Sequence, residues 1–232
     1  MGALVNTVLF GIYPYISLTV LVVGSVIRYD REPYTWRSGS SQLLRRRQLV
    51  IGSILFHVGV LLILGGHIGG LLTPLWVWEM LGVAHGAKQM VAIVLGGVAG
   101  LMGIAGASLL VHRRFFDARV RKASTFSDNA IILILWLQLA LGLLTITVSA
   151  RHLDGEEMVK FMRWAQSIFS FDPTASSYVG NADLVFKLHI TLGLTIFVLF
   201  PFTRLVHMLS VPVRYVWRPG YQIVRTRRKP AE

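Results

Sequence analysis

A chain of 232 residues that is 54% hydrophobic, with a mean hydropathy of +0.61, is too apolar for an ordinary soluble domain and indicates an integral membrane protein. The absence of cysteine excludes an iron–sulfur cluster held by thiolates, a covalently attached haem and a disulfide within this chain. The formal net charge of +12 comes from basic residues clustered between apolar runs, so it reflects membrane topology, and no nucleic-acid partner is expected.

Five apolar runs are each long enough to cross a lipid bilayer as a helix. The predicted spans cover residues at about 8–27, 50–72, 89–111, 129–149 and 183–209, and a basic tail follows over 210–232. The expected fold is therefore a single all-α transmembrane domain over residues 1–232. The first run has no basic leader and no small-residue cleavage site, which favours a retained span over a signal peptide.

The distribution of charge predicts the orientation of these spans. Five spans place the two termini on opposite sides of the membrane, and the first loop, the third loop and the C-terminal tail, which share one side, hold most of the Arg and Lys. The loops on the other side hold several acidic residues: Glu79, Asp154, Glu156, Glu157 and Asp172. The positive-inside rule then places the N-terminus outside and the C-terminus in the cytoplasm.

The longest loop, at about 150–182, contains apolar residues at helical spacing. They are Met158, Phe161, Met162, Ala165, Ile168 and Phe169, with charged and polar residues between them. This pattern predicts a short amphipathic helix that lies on the outer membrane surface. The alternative is a helix packed on the ends of the spans.

Two of the predicted spans carry two histidines each: His57 and His67 in the second, His189 and His207 in the fifth. Because these spans run in opposite directions, His57 matches His207 in depth toward the cytoplasm, and His67 matches His189 toward the outside. An imidazole in hydrocarbon is costly without a partner, and two imidazoles can ligate one haem iron. The alternative, polar histidines bonded to neighbouring helices, suits one lone histidine better than four at matched depths.

The two histidine spacings differ along the helices. In straight α-helices His57 and His67 would be about 15 Å apart, whereas His189 and His207 would be about 27 Å apart. Tilted helices must absorb this difference, and Pro201 is expected to add a kink before His207. Four glycines flank the outer histidine of the second span, where a flat macrocycle needs access to the backbone: Gly65, Gly66, Gly69 and Gly70.

Segments along the whole chain match one family. They are IYPYI at 12–16, RYD at 28–30, YTWR at 34–37, SSQLL at 40–44, LFH at 55–57, GGH at 65–67, LLTP at 71–74, LGLLT at 141–145, HLDGEEM at 152–158 and LFPFTRLVHMLSVP at 199–212. On these segments the sequence resembles the gamma, or cytochrome b, subunit of membrane-bound respiratory nitrate reductase. Several of them are loops that hold no ligand, so the match exceeds a generic four-histidine pattern.

The resemblance implies two haem b groups between the second and fifth of five transmembrane helices, with His57 and His207 as ligands of the cytoplasmic haem and His67 and His189 as ligands of the outer haem. It also implies a quinol site beside the outer haem, to which Lys88 and Gly66 contribute. The sequence alone favours an ordinary interfacial lysine at position 88, and the resemblance is what favours the functional role. Residues 82–87 depart from the family's pattern. Arg204, three residues before His207, is a candidate contact for a haem propionate.

The partners that the resemblance implies are a cytoplasmic iron–sulfur subunit and a molybdenum catalytic subunit, at a prokaryotic cytoplasmic membrane. Quinol at the outer face would deliver electrons through the haems to these subunits, release protons outside and support nitrate reduction in the partner. The first alternative is a dihaem cytochrome b of a formate dehydrogenase, hydrogenase or heterodisulfide-type reductase. The second is a membrane anchor or transporter without haem, which is disfavoured because no two spans look like an inverted repeat.

Overall fold

The computed structural model describes residues 2–36, 44–151 and 153–210, all of whose regular elements are helical. Five helices are long and apolar enough to cross a membrane, which confirms the predicted number, and they are named span one to span five in chain order. Their bounds are Ala3–Arg31, Arg46–Leu72, His85–Phe116, Phe126–Ser149 and Leu184–Phe202. Shorter helices occupy Pro33–Thr35, Leu75–Met80, Ala118–Lys122, Glu156–Phe169, Ala175–Val179 and Arg204–Ser210. The predicted basic tail lies outside the described residues from position 211 onward.

Span three is longer than the sequence predicted, because its polar ends are buried in the protein. The predicted bounds of 89 and 111 exclude Lys88 and Arg113, yet these side chains are only 8% and 2% exposed. Lys88 donates to the Gly70 carbonyl and Arg113 to the Leu44 carbonyl. Charged residues that find partners within the protein can extend a membrane helix beyond its purely apolar stretch.

Span one contains a π-helical turn, Val8–Ile12, just before Pro14. Proline has no N–H, so Pro14 cannot donate the α-helical hydrogen bond to the carbonyl of Phe10. That carbonyl instead accepts a hydrogen bond of 2.8 Å from Nε1 of Trp164. The irregular turn therefore gives a distant segment a polar contact on span one.

The spans pack in a series. Span two packs on span three, span three on span four, span four on span five, and span five on span one. Small residues bring the first pair together: a Cβ on Gly59 would lie 2.5 Å from the backbone nitrogen of Gly103, and one on Gly106 would collide with the backbone of Phe56. In the described part of the chain, span two does not pack closely on span five, which leaves a cleft between them.

The predicted amphipathic helix is present at Glu156–Phe169, and it is named the surface helix here. It packs on the ends of the spans, as the alternative interpretation held: most of its apolar face is at least partly buried and Met162 is fully buried, although Phe169 at its end is exposed. The Gln166 amide donates to the carbonyls of Leu71 and Thr73, at 3.0 and 3.1 Å. These bonds satisfy carbonyls at the C-terminal end of span two.

Span five is shorter than the predicted 183–209, and the kink expected at Pro201 is a break in the helix. The α-helix ends at Leu199, a 3₁₀ turn follows at Phe200–Phe202, Thr203 is extended with φ −122° and ψ −179°, and a second 3₁₀ segment covers Arg204–Ser210. Pro201 lacks the N–H that the helix would need, and its ring crowds the preceding turn. His207 therefore lies on a separate segment, and the spacing calculated for a straight helix does not apply to it.

Candidate functional site

The structure brings the four histidines together in two pairs across the cleft that separates span two from span five and from the segment Arg204–Ser210. The ring centroids of His57 and His207 are 6.2 Å apart, with 73° between the ring planes. Those of His67 and His189 are 6.1 Å apart, with 40° between the planes. These are the pairs that the opposite directions of the two spans predicted.

The separation of the rings suits one metal ion between the members of each pair. Two metal–nitrogen bonds of about 2.0 Å, together with the half-widths of two imidazoles, separate the ring centroids by about 6 Å. Among the described residues, no group of three or more His, Asp or Glu side chains converges on a single point. Each pair can therefore supply only two axial ligands, which fits an iron whose other four ligands come from a porphyrin.

In three of the four histidines the Nδ1 atom lies within hydrogen-bond distance of a backbone carbonyl oxygen, one turn earlier in the chain. The pairs are His57 with Ser53 at 2.7 Å, His67 with Ile63 at 2.8 Å, and His207 with Arg204 at 2.5 Å. A carbonyl oxygen only accepts, so this contact places the proton on Nδ1. The lone pair on Nε2 is then free to bind a metal, and the ring orientation is fixed.

His189 is held differently. Its Nδ1 atom has no hydrogen-bond partner among the described residues. Its Cε1 atom would lie 3.1 Å from a Cβ on Gly142, so the glycine leaves room for the ring against span four. The Gln138 amide donates to the His189 backbone carbonyl at 3.1 Å. Packing against span four therefore orients this ring, and the sequence offered no signal for the role of Gly142.

Four glycines beside His67 face open space. A Cβ on any of them would meet no atom within 4 Å: Gly65, Gly66, Gly69 and Gly70. A flat ring can approach backbone closely where side chains are absent. This surface, together with the exposed imidazoles of His57 and His67 in the cleft, fits a macrocycle between the paired histidines.

Lys88 is buried, in contrast to an ordinary interfacial lysine that reaches water. Its ammonium donates to the carbonyl oxygen of Gly70 at 3.0 Å and contacts Sδ of Met162 at 2.8 Å. It also lies 4.3 Å from the centroid of the Trp78 ring. Because Gly70 follows His67 by three residues, the ammonium sits at the same end of the cleft as the His67–His189 pair. Only the fold reveals its contact with Met162 of the surface helix.

Arg204 forms an ion pair at the other end of the cleft. Its Nε atom is 2.6 Å from Oδ1 of Asp128, and Nη1 of Arg114 is 3.6 Å from Oδ2 of the same carboxylate. Asp128 also belongs to the capping box that Thr125 forms at the start of span four. The sequence shows that capping pattern, but not that the carboxylate also bridges two arginines near His207.

The comparisons with known proteins cover nearly the whole chain. The family model described as the nitrate reductase gamma subunit matches residues 6–227. The respiratory nitrate reductase 1 gamma chain of Escherichia coli (strain K12) is 47% identical to this chain, over 96% of this chain and 98% of that protein. The respiratory nitrate reductase 2 gamma chain of the same strain is 50% identical, over 96% and 98%. The nitrate reductase gamma chain of Bacillus subtilis (strain 168) is 37% identical, over 95% and 98%.

Proposed function

The chain belongs to the nitrate reductase gamma subunit family, and from this membership we propose that it is the quinol-oxidising dihaem cytochrome b subunit of a respiratory nitrate reductase. The observation that carries the proposal is the presence of two histidine pairs, in which span two faces span five or the short segment that follows span five, each with ring centroids 6.1–6.2 Å apart. Two such pairs, at different depths, supply axial ligands for two haem b groups.

The chain's own residues hold and orient the two sites. His57 and His207 would hold the haem on the cytoplasmic side, and His67 and His189 the haem on the outer side. When bound, a bis-histidine haem supplies a centre that takes up and releases one electron. The backbone carbonyls of Ser53, Ile63 and Arg204 keep three of the imidazoles protonated on Nδ1, and Gly142 leaves room for the fourth ring.

The orientation follows from the charges at the two ends of the bundle. Arginines and one lysine crowd the end that holds His57: Arg45, Arg46, Arg47, Arg113, Arg114, Arg119, Arg121 and Lys122. The surface helix marks the opposite end, where Glu156 and Glu157 occupy its first turn. We therefore place the basic end in the cytoplasm of a prokaryotic cell, the surface helix outside, and the N-terminus outside.

The quinol site that we propose lies at the outer end of the cleft, beside His67. Gly66 and Gly70 stand one helical turn apart on span two, and Lys88 donates to the Gly70 carbonyl. An ammonium carries three donor hydrogens, so the Lys88 ammonium can donate to a quinol oxygen and stabilise negative charge as the hydroxyl loses its proton. Gly66 keeps the neighbouring surface clear of side chains.

Oxidation of one quinol to quinone releases two electrons and two protons. The protons leave on the outer side, where Lys88 and the surface helix lie, and the electrons cross to the cytoplasmic side. With no cysteine of its own, the chain relies on partners for iron–sulfur and molybdenum chemistry. The partners that we propose are a cytoplasmic iron–sulfur subunit and a molybdenum catalytic subunit, which reduces nitrate.

Arg204 is proposed as a contact for a propionate of the haem on the cytoplasmic side. The Arg204–Asp128–Arg114 cluster has two cations for one carboxylate, so a second anion beside it would be stabilised. Arg204 also provides the carbonyl that orients His207. A propionate at this point would join the haem to spans three and four.

The direct test is a haem count on the complex purified from its native membrane in mild detergent. A reduced-minus-oxidised spectrum, with the ratio of haem to this chain, is expected to show two b-type haems that a quinol analogue reduces. A single haem would mean that one histidine pair has only a structural role. The absence of haem would favour the alternative of a membrane anchor or transporter. Copurification of formate dehydrogenase or hydrogenase subunits, in place of nitrate reductase subunits, would favour the other dihaem cytochromes.

A further inference from the structure

The α-helix of span five breaks at Phe200–Thr203, and Arg28 of span one donates hydrogen bonds to this break. Its Nη1 atom donates to the carbonyl oxygens of both Pro201 and Thr203, at 2.6 and 2.8 Å. Its Nη2 and Nε atoms donate to the backbone carbonyl and hydroxyl oxygens of Thr35, at 3.1 and 3.3 Å. Every nitrogen of the guanidinium group thus donates at least one hydrogen bond. In the described part of the chain, all four acceptors belong to Pro201, Thr203 and Thr35.

The break creates a need for such a donor. In a continuous helix the Pro201 carbonyl would accept from the N–H of Leu205, but that N–H lies 3.4 Å from the hydroxyl oxygen of Thr203 instead. A carbonyl left without a donor near the hydrocarbon region is costly, because water is scarce there. The guanidinium of Arg28 supplies two strong hydrogen bonds at this point and so stabilises the broken form of the segment.

A second contact from span one holds the same break. A Cβ on Gly24 would lie 2.8 Å from Cγ of Pro201, so only glycine lets the proline ring pack on the span one backbone at this distance. Gly24 and Arg28 are four residues apart, one turn of the same helix face. Span one therefore contacts the break through both the proline ring and the two carbonyl oxygens.

The break sets the position of His207. The 3₁₀ segment Arg204–Ser210 begins directly after extended Thr203, and within it Nδ1 of His207 contacts the Arg204 carbonyl oxygen at 2.5 Å. The direction in which this segment leaves span five therefore decides where the imidazole points. That direction is held by the bonds of Arg28 to the residues on either side of Phe202.

We propose that Arg28 is a positioning residue for His207, and that it fixes the plane of the His207 imidazole relative to that of His57. The inference rests on the proposed function, because it takes His207 as a haem ligand. Arg28 acts through the backbone of Pro201 and Thr203. It is expected to affect the haem of the His57–His207 pair and to leave the haem of the His67–His189 pair unchanged.

The test compares Arg28→Lys, Arg28→Gln and Gly24→Ala in the complete complex, in native membranes. The readout is the electron paramagnetic resonance spectrum of the oxidised haems, together with haem content and the midpoint potential of each haem. The spectrum of a bis-imidazole haem depends on the angle between the two ring planes. We expect the signal of the cytoplasmic-side haem to shift or split in all three variants, while the outer-side haem keeps its signal and its potential.

Arg28→Lys separates geometry from charge. Lysine keeps the positive charge, but its single nitrogen cannot reproduce the bonds that the guanidinium makes to two carbonyls and to Thr35. If Arg28→Lys shifts the signal of the cytoplasmic-side haem as much as Arg28→Gln does, the shift comes from the lost hydrogen-bond geometry and not from the lost charge. Gly24→Ala disturbs the contact with the Pro201 ring and leaves Arg28 in place. If neither Arg28 variant assembles, this variant alone tests whether the break positions His207.

Two variants of span one serve as matched controls. Arg31→Gln removes an exposed arginine three residues after Arg28, and Gly11→Ala places a Cβ 3.5 Å from Cβ of Ser176, an ordinary packing distance. Both are expected to leave both haem signals unchanged.

Unchanged signals in the Arg28 and Gly24 variants, or equal shifts of both haems, would overturn the inference while the proposed function stands. A wild-type complex without haem would instead overturn the proposed function.

Discussion

Trp164 of the surface helix donates from its indole Nε1 to the carbonyl oxygen of Phe10, at 2.8 Å, and so joins two segments that are 154 residues apart in the chain. The acceptor is the carbonyl that Pro14 cannot satisfy within span one. Both Trp164 and Phe10 belong to the same buried cluster at this end of the bundle. The contact therefore ties the irregular start of span one to the surface helix, which covers this end of the bundle.

Replacing Trp164 with phenylalanine is expected to lower the free energy of unfolding by about 1–3 kcal/mol, because the buried Phe10 carbonyl loses its donor. Thermal unfolding of the detergent-solubilised complex would measure the change. Trp76→Phe is the matched control, since the Trp76 side chain is 63% exposed. Equal stability of the Trp164 variant and the wild type would show that water or lipid satisfies the carbonyl.

Removal of one histidine from each pair is expected to remove one haem at a time. His67→Ala should abolish the outer-side haem and with it quinol-dependent reduction, whereas His57→Ala should abolish only the cytoplasmic-side haem. In the His57→Ala protein, quinol should still reduce the remaining haem but nitrate turnover should stop. Difference spectra of each variant would measure this. Loss of both haems from either variant would mean that the sites are not independent.

Lys88→Ala is expected to lower quinol oxidation about 10²-fold, the usual cost of removing a donor that stabilises a developing oxyanion. Haem content and haem spectra should stay normal, because the contacts that the structure describes for Lys88 are with Gly70, Met162 and Trp78 and not with the four paired histidines. Steady-state oxidation of a quinol analogue, coupled to nitrate reduction, is the measurement. Lys160→Ala is the control at the same end, where the Lys160–Glu157 pair is partly exposed and contributes little. Wild-type turnover in Lys88→Ala would exclude Lys88 from the site.

Gly66→Leu and Gly96→Leu form a matched pair of substitutions in spans two and three. At both positions a Cβ meets nothing within 4 Å, so the first side-chain carbon of either leucine has open space around it. Only the Gly66 leucine would occupy the space beside His67, so only that variant should lose outer-side haem or quinol binding. Haem content and binding of a quinol-site inhibitor would distinguish them. Equal behaviour of the two variants would place the haem and quinol elsewhere.

The number of spans and the partnership of the histidines follow from local features of the sequence. Uncharged runs of about 20 residues identify membrane helices, since the hydrocarbon core has a fixed thickness. The opposite directions of spans two and five then pair His57 with His207 and His67 with His189. Neither step needs knowledge of how side chains pack.

The break in span five could not be predicted from such local features of the sequence. Pro201 signals a kink, but the carbonyls on either side of Phe202 accept hydrogen bonds from Arg28, which is 173 residues away from Pro201 in sequence. The burial of Lys88 depends likewise on the surface helix, through Met162. Contacts between distant segments decide both features, and hydropathy and local spacing contain no information about such contacts.

The cleft between spans two and five has a consequence for the biosynthesis of the subunit. In the described part of the chain each span packs on at least one other span, whereas span two and span five would be joined chiefly by the proposed haems. On the proposed function, two porphyrins that entered sideways from the bilayer, each ligated by one histidine pair, would cross-link span two to span five and to the segment that follows it. Because a group that binds only the folded state stabilises it, supply of the cofactor would determine how long the newly made chain survives proteolysis.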